Sequence, residues 1–195
     1  MGIKIKIEMG RRSLNIMFPE YGVNFKIFPK ELEVNARREY EIMNRLYNAG
    51  INVPRPIKLI ITKGSAIIVR EYIDGIYFSQ AIQEYDPSSL AKVLKNLIIQ
   101  LRKIEEQEVF IPEFSSLYKN VIIKDKDPYI IDLERAQFSS KPIITQLLGL
   151  LIKLCSNVKI RTKLEQIMDI EKIKEVSIRY KEKRRINDVL SLFRI

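Results

Sequence analysis

Ile3, Ile5 and Ile7 alternate with Lys4, Lys6 and Glu8, the two-residue period of a strand with one buried face. Runs at 14–18, 23–28, 57–62 and 66–72 have the same strand character and are bounded by Gly, Pro or charged turns. Between the third and fourth of these strands, Leu32, Ala36, Tyr40, Met43 and Leu46 with Tyr47 recur at helical spacing. Gly50, Pro54 and Pro56 end that segment. After Asp74-Gly75 the period becomes helical, over 88–105 and 142–155 and then 160–168, 170–183 and 185–193. Two short apolar runs, 119–123 and 129–131, joined by the polar turn 124–128, read as a hairpin inside this helical half. The pattern predicts an α+β fold of two lobes. A small antiparallel sheet lobe with one helix covers 1–73, and a mainly helical lobe carrying the hairpin covers 74–195. No internal repeat, low-complexity tract or Gly/Ser linker interrupts it.

Composition narrows the chemistry. The chain has 195 residues and 46% hydrophobic content, enough to bury a sizeable interior. Its formal net charge of +10 suits polyanionic partners such as nucleotides, nucleic acid or acidic proteins. There is no histidine, which excludes Ser-His catalysis and imidazole acid–base or metal chemistry. Carboxylates and lysines must carry any reaction. The single cysteine, Cys155, cannot form an internal disulfide and follows an apolar run, so it reads as core filler in a cytoplasmic protein. That run is interrupted by Lys153 and is too short for a membrane span, so no membrane association is expected.

The hairpin is the most chemical part of the chain. It would bring Asn120 and Asp132 to one end of two paired strands, an amide beside a carboxylate. Magnesium prefers oxygen ligands and takes one or two protein groups plus phosphates and water. Kinases use an Asn and an Asp in this order, although an incidental pair on a surface hairpin would look the same. Lys26 projects from the third strand, where it could reach nucleotide phosphates or simply be a surface lysine. Glu39 lies three residues after Ala36 and four before Met43, on the inward face of the predicted helix, whereas Glu41 falls with Arg37, Arg38 and Arg45 on the polar face. A buried carboxylate needs a partner, and Lys26 is the natural one. Gly10-Arg11-Arg12-Ser13 sits where a phosphate-covering loop would lie, but it has a single glycine.

These residues carry a family resemblance. The segments 23–26, 36–41 with the trailing 49–56, 70–75, and Asn120 with Asp132 occur in the order that resembles the small atypical protein kinases of archaea, related to the Rio kinases and the kinase subunit of the KEOPS complex. Residues 119–122, 130–136 and 141–146 are similar to an archaeal serine/threonine kinase subfamily. The resemblance spans roughly residues 8–155. It implies that Lys26 contacts the α and β phosphates of ATP and pairs with Glu39, and that Asn120 and Asp132 hold Mg2+. It also implies that Glu71 and Tyr72 lie in the hinge near adenine and that Gly10 to Ser13 cover the phosphates.

The departures are as informative. Kinases place a catalytic Asp five residues before the metal-binding Asn; this chain has Ser115 there. Glu113 is the nearest upstream carboxylate and the candidate substitute. Asp132 is followed by Leu133-Glu134 instead of Phe-Gly, which points to a fixed metal loop without a switching activation segment. Basic residues between Lys159 and Arg185 interleave with apolar ones at helical spacing. They are either the solvated faces of packed helices or a surface for RNA or another polyanion. The expected function is a minimal, weak ATP-dependent kinase acting on Ser or Thr of an unknown protein substrate or on itself. The alternative is an impaired relative acting as a nucleotide-, protein- or RNA-binding module, and a third possibility is phosphorylation of a small molecule.

Overall fold

In the computed structural model, residues 2–112 and 117–194 are described. The first half forms a five-stranded antiparallel sheet from β1 (Lys6–Met9), β2 (Leu14–Phe18), β3 (Val23–Pro29), β4 (Pro56–Ile61) and β5 (Ser65–Glu71), in the order β1-β2-β3-β5-β4. Only the second half of the predicted first strand pairs: Ile3 and Ile5 precede β1 and stay exposed. The alternation there is genuine, but β1 is an edge strand and nothing covers the isoleucines.

Helix α1 (Glu33–Asn48) crosses the inner face of this sheet. Its inward stripe, Ala36, Glu39, Ile42, Met43 and Leu46, is buried, while Glu41 is exposed as the spacing predicted. Tyr47 is 42% exposed and drops out of that stripe, because it follows Leu46 by only one residue. The helix stops at Gly50, whose φ of 69° is the left-handed conformation that glycine adopts without steric cost. The Gly50 N–H donates to Tyr47 O at 3.0 Å and the Ile51 N–H to Leu46 O at 3.1 Å, which satisfies two end carbonyls. Fully burying Ile42 or Leu46 contributes about 1.5–3 kcal/mol each.

The second half begins with β6 (Ile76–Tyr77) and α2 (Phe78–Glu84), an element the sequence pattern did not show. Asp86 caps α3 (Pro87–Glu106), with its Oδ1 accepting from the Ser89 N–H at 2.9 Å and Pro87 in the first turn. After β7 (Val109–Phe110) and the single turn α4 (Leu117–Asn120) comes the predicted hairpin, β8 (Val121–Lys124) and β9 (Asp127–Ile130). Asp125 and Lys126 both have positive φ, 52° and 70°, which matches the twist of a two-residue hairpin turn. The hairpin joins β6 in a three-stranded sheet, and β10 (Gln137–Phe138) pairs with β7.

Helices α5 (Ile144–Leu154), α6 (Val158–Ile167), α7 (Ile173–Lys183) and α8 (Ile186–Leu190) complete the chain; α5, α7 and α8 are shorter than their apolar periods, and α6 starts two residues before its own. One continuous apolar cluster links Phe28, Ile42 and Leu46 of the sheet half with Leu97, Leu148 and Leu192 of the helical half. Cys155 is only half-buried, and its Sγ donates to Leu151 O. Among the described residues, no helix is long and apolar enough to cross a membrane.

Candidate active site

Strand β3 turns Asn24, Lys26 and Phe28 to the face crossed by α1, and all three are buried. There the Lys26 Nζ donates to both Glu39 carboxylate oxygens, at 2.9 and 3.0 Å. The same ammonium donates to Asp132 Oδ1 at 3.1 Å and lies 3.9 Å from Glu134 Oε2. The Lys26 side chain is 4% exposed and that of Glu39 0%, whereas that of Asp132 is 37% exposed. One lysine therefore joins a fully buried carboxylate of α1 to a partly open one beyond the hairpin.

The hairpin explains how Asp132 reaches it. Val121 pairs with Ile130, and the Ile131 N–H donates to Asn120 O at 2.9 Å, carrying the ladder one step past the strands. Asn120 and Asp132 thus flank the open end of the hairpin, and both line the cleft between the two halves. The Glu134 N–H donates to Asp132 Oδ1 at 3.3 Å and fixes the carboxylate from its own loop.

The two carboxyls shift in opposite directions. Burial raises Glu39 above the ordinary carboxylate range, against the pull of Lys26 and Arg70. Burial also pushes Asp132 up, but the charge and hydrogen bond of Lys26 and the Glu134 amide outweigh it and hold Asp132 below that range. Lys26 and the Glu134 amide therefore favour the ionised form of Asp132.

Three more cations tie the loop after the hairpin to the sheet half. Arg70 Nη1 donates to Ile131 O at 2.6 Å, Arg38 Nη2 to Glu134 O at 3.4 Å, and Arg12 Nη1 to Glu134 Oε1 at 3.4 Å. Glu134, immediately beyond Leu133, is thereby absorbed into ion pairs.

The cleft holds about 850 Å³, within the size range of ligand pockets. Gly10, Arg11 and Arg12 line one wall, Glu71, Tyr72 and Ile73 another, and Lys119, Asn120 and Asp132 the floor. Ser13 is not on the wall; its carbonyl accepts the Gly10 N–H at 2.8 Å and closes the turn. The Glu71 carboxylate accepts from the Arg55 N–H at 3.1 Å, and Tyr72 accepts from Lys6 Nζ at 2.8 Å. Both side chains are thus engaged with other parts of the sheet half, Glu71 with the residue before β4 and Tyr72 with β1. Glu113 and Ser115 lie outside the described residues.

Asp132 and Asn120 offer the oxygen donors that suit magnesium. Among the described residues no group of three or more His, Cys, Asp or Glu side chains gathers as a metal cage. An ion at this pair would therefore draw its remaining ligands from phosphates and water.

Sequence reasoning did not single out Asn15, Asn24, Arg70 or Glu134. The signal for Arg70 was present: it stands two residues after Ile68, on the inward face of β5, where a charge needs a reason. The basic carboxy-terminal residues divide. Lys163 donates to the carbonyls of Ile82, Gln83 and Tyr85 at the end of α2, and Arg161, Lys172, Arg179 and Arg184 pair with acidic neighbours. Lys159, Lys174, Lys181 and Lys183 are exposed.

Comparison with known proteins places this arrangement. The fold is similar to that of an aminoglycoside phosphotransferase from Streptomyces rimosus, with a TM-score of 0.64 at 12% identity, over 96% of this chain and 91% of that one. At that identity the likeness speaks to the fold, which is protein-kinase-like. No curated protein matches the sequence. Residues 26–173 match the RIO domain, a stretch that opens on Lys26 and includes Glu39, Asn120 and Asp132. The chain belongs to the RIO-domain family of atypical kinases.

Proposed function

We propose that the protein binds ATP with magnesium in this cleft and transfers the γ-phosphoryl group, slowly, to a Ser or Thr hydroxyl of a protein or of itself. The observation that carries this reading is the shared Lys26: one ammonium bonded to both Glu39 and Asp132. A buried lysine with a single carboxylate is a structural ion pair. One that also holds a carboxylate in an open cleft sits where incoming phosphates and a cation exchange partners with it.

In the proposed complex Lys26 turns to the phosphates, Asn120 and Asp132 hold the ion, and Arg11 and Arg12 stand over the phosphate end. Bound there, magnesium supplies neutralisation of phosphate charge and orientation of the transferring group. The acceptor oxygen bonds to the γ-phosphorus as its bond to the β–γ bridging oxygen breaks, and ADP leaves. The hydroxyl proton passes to a carboxylate, for which Glu113 is the sequence candidate. Positioning and charge do most of the work in phosphoryl transfer, so Ser115 in place of the usual Asp predicts slow turnover instead of none.

That same Ser115 favours a second reading, a nucleotide-binding module without transfer, with the exposed lysines of α6 and α7 as its contact to RNA or another polyanion. Calorimetry with ATP, with and without magnesium, on the wild type and Asp132→Asn separates the outcomes. Magnesium-dependent binding lost in the variant supports the cleft as a nucleotide site, and transfer of labelled phosphate then decides between kinase and module. No binding at millimolar ATP would sink both.

A further inference from the structure

Lys26 carries a heavy load. It serves Glu39 through two hydrogen bonds and Asp132 through a third, all in a region where charges are poorly hydrated. If nucleotide phosphates draw the ammonium toward the cleft, Glu39 is left fully buried with less positive charge beside it. Removing one partner from a buried ion pair is strongly unfavourable. A lysine serving Glu39 alone would therefore be held back from the phosphates.

Arg70 stands where it changes this balance. It is 4% exposed on β5, cross-strand from Asn24, and lines the cleft. Its Nη1 lies 3.6 Å from Glu39 Oε1 and donates to Ile131 O at 2.6 Å, while Nη2 donates to Asn15 Oδ1 at 3.4 Å. One guanidinium thus touches the buried carboxylate and the peptide directly before the proposed metal ligand Asp132. Two cations, Lys26 and Arg70, face two anions, Glu39 and Asp132, so either lysine bond can open without stranding a charge.

We propose that Arg70 is a positioning residue of the phosphotransfer site: it keeps Glu39 compensated when Lys26 turns to the phosphates, and it anchors the Ile131 peptide so that Asp132 stays in place. This rests on the nucleotide reading of the cleft. The two roles are separable by chemistry. A lysine at position 70 restores the charge near Glu39 but lacks the planar fork that reaches Glu39, Ile131 and Asn15 together; methionine restores neither.

The test is calorimetric titration of the wild type, Arg70→Met and Arg70→Lys with ATP, with and without magnesium, alongside thermal unfolding of each. Arg70→Met is expected to weaken magnesium-ATP binding by about tenfold or more, and Arg70→Lys by about threefold. The loss should fall mainly on the magnesium-dependent part of the affinity. Glu105→Gln, in a buried cluster remote from the cleft, controls for simple destabilisation: its unfolding temperature should drop with binding unchanged. If Arg70→Met does not fold, Arg70→Gln replaces it. Wild-type affinity in Arg70→Met, or equal losses with and without magnesium, overturns this inference alone. Absence of ATP binding by the wild type overturns the nucleotide reading with it.

Discussion

The protein buries two glutamates with similar thoroughness and uses them differently. Glu39 on α1 is 0% exposed and its partners are cationic side chains, Lys26 and Arg70. Glu105 on α3 is 8% exposed and accepts from the Ile144 N–H at 3.1 Å and the Tyr180 hydroxyl at 2.6 Å, with Arg184 and Arg102 at 3.4 and 3.6 Å. The Ile144 amide belongs to the first turn of α5, so Glu105 also meets the positive end of a helix. Burial and the Glu105 hydrogen bond together push the Tyr180 hydroxyl pKa well up, so it remains a donor. Every partner of Glu105 is fixed within the helical half. The main partner of Glu39 is shared with Asp132 at an open cleft. A buried charge by itself marks no function; a buried charge whose counter-ion has a second, reachable claimant does.

The sharpest break between the two regions comes from paired substitutions. Lys26→Met should reduce magnesium-ATP affinity by about a hundredfold, because it removes a charge-assisted contact to phosphate and leaves Glu39 with Arg70 alone as its cation. Glu105→Ala should leave that affinity within about threefold. It strands the Tyr180 hydroxyl and the Ile144 N–H, at about 1–3 kcal/mol each, and so lowers the unfolding temperature by roughly 5–15 °C. Calorimetry and melting on both proteins check the crossover. Equal losses of binding in the two would erase the distinction.

Gly75→Ala, the next largest effect, tests whether the regions are mechanically separate. A Cβ on Gly75 would lie 2.4 Å from Ile123 O and 2.7 Å from Ile122 Cγ2, against the hairpin that ends in Asn120 and Asp132. The hairpin must shift, at about 1–3 kcal/mol. Magnesium-dependent binding should fall in Gly75→Ala while the fluorescence and melting signature of a Tyr180→Phe variant, the smaller companion change, shows only stability loss. Tyr180→Phe removes one hydrogen bond to a charged acceptor, about 1.5–3 kcal/mol. Unchanged binding in Gly75→Ala would show that Asn120 and Asp132 tolerate displacement of their hairpin.

The sequence read one of these regions and passed over the other, for a reason visible in the residues. The helical spacing that turns Glu39 inward also turns Glu105 inward, four residues after Leu101 on α3. Glu39 drew notice because Lys26 stood on a neighbouring predicted strand; the partners of Glu105 are a backbone amide and a phenol from helices far along the chain, which leave no local trace. Arg70 left a trace, an inward charge two residues after Ile68, but its meaning comes from Ile131, across the cleft. The larger strands and helices were legible because their apolar periods are long. The two-residue strands β6, β7 and β10 were not, because two residues are too few to show a period. Asp125 and Lys126 took up the predicted turn without the glycine such turns favour.

A third carboxylate isolates what burial adds. Asp86 is exposed and, like Glu105, accepts from a backbone amide at a helix start, that of Ser89. Hydrogen bonds from Ser89 hold it below the ordinary carboxylate range. A carboxyl lowered on folding stabilises the protein above its unfolded pKa, and that stabilisation is lost as pH falls through the folded one. Glu39, raised by burial, has the opposite sign: its ionisation costs stability as pH rises from the ordinary range to the folded value. Asp86→Asn keeps an uncharged cap and should remove only the acid-side loss. The melting difference between wild type and variant should therefore be largest near neutral pH and shrink below about pH 4. A difference that stays constant with pH would mean that the Ser89 contact does not distinguish the ionised cap from the amide.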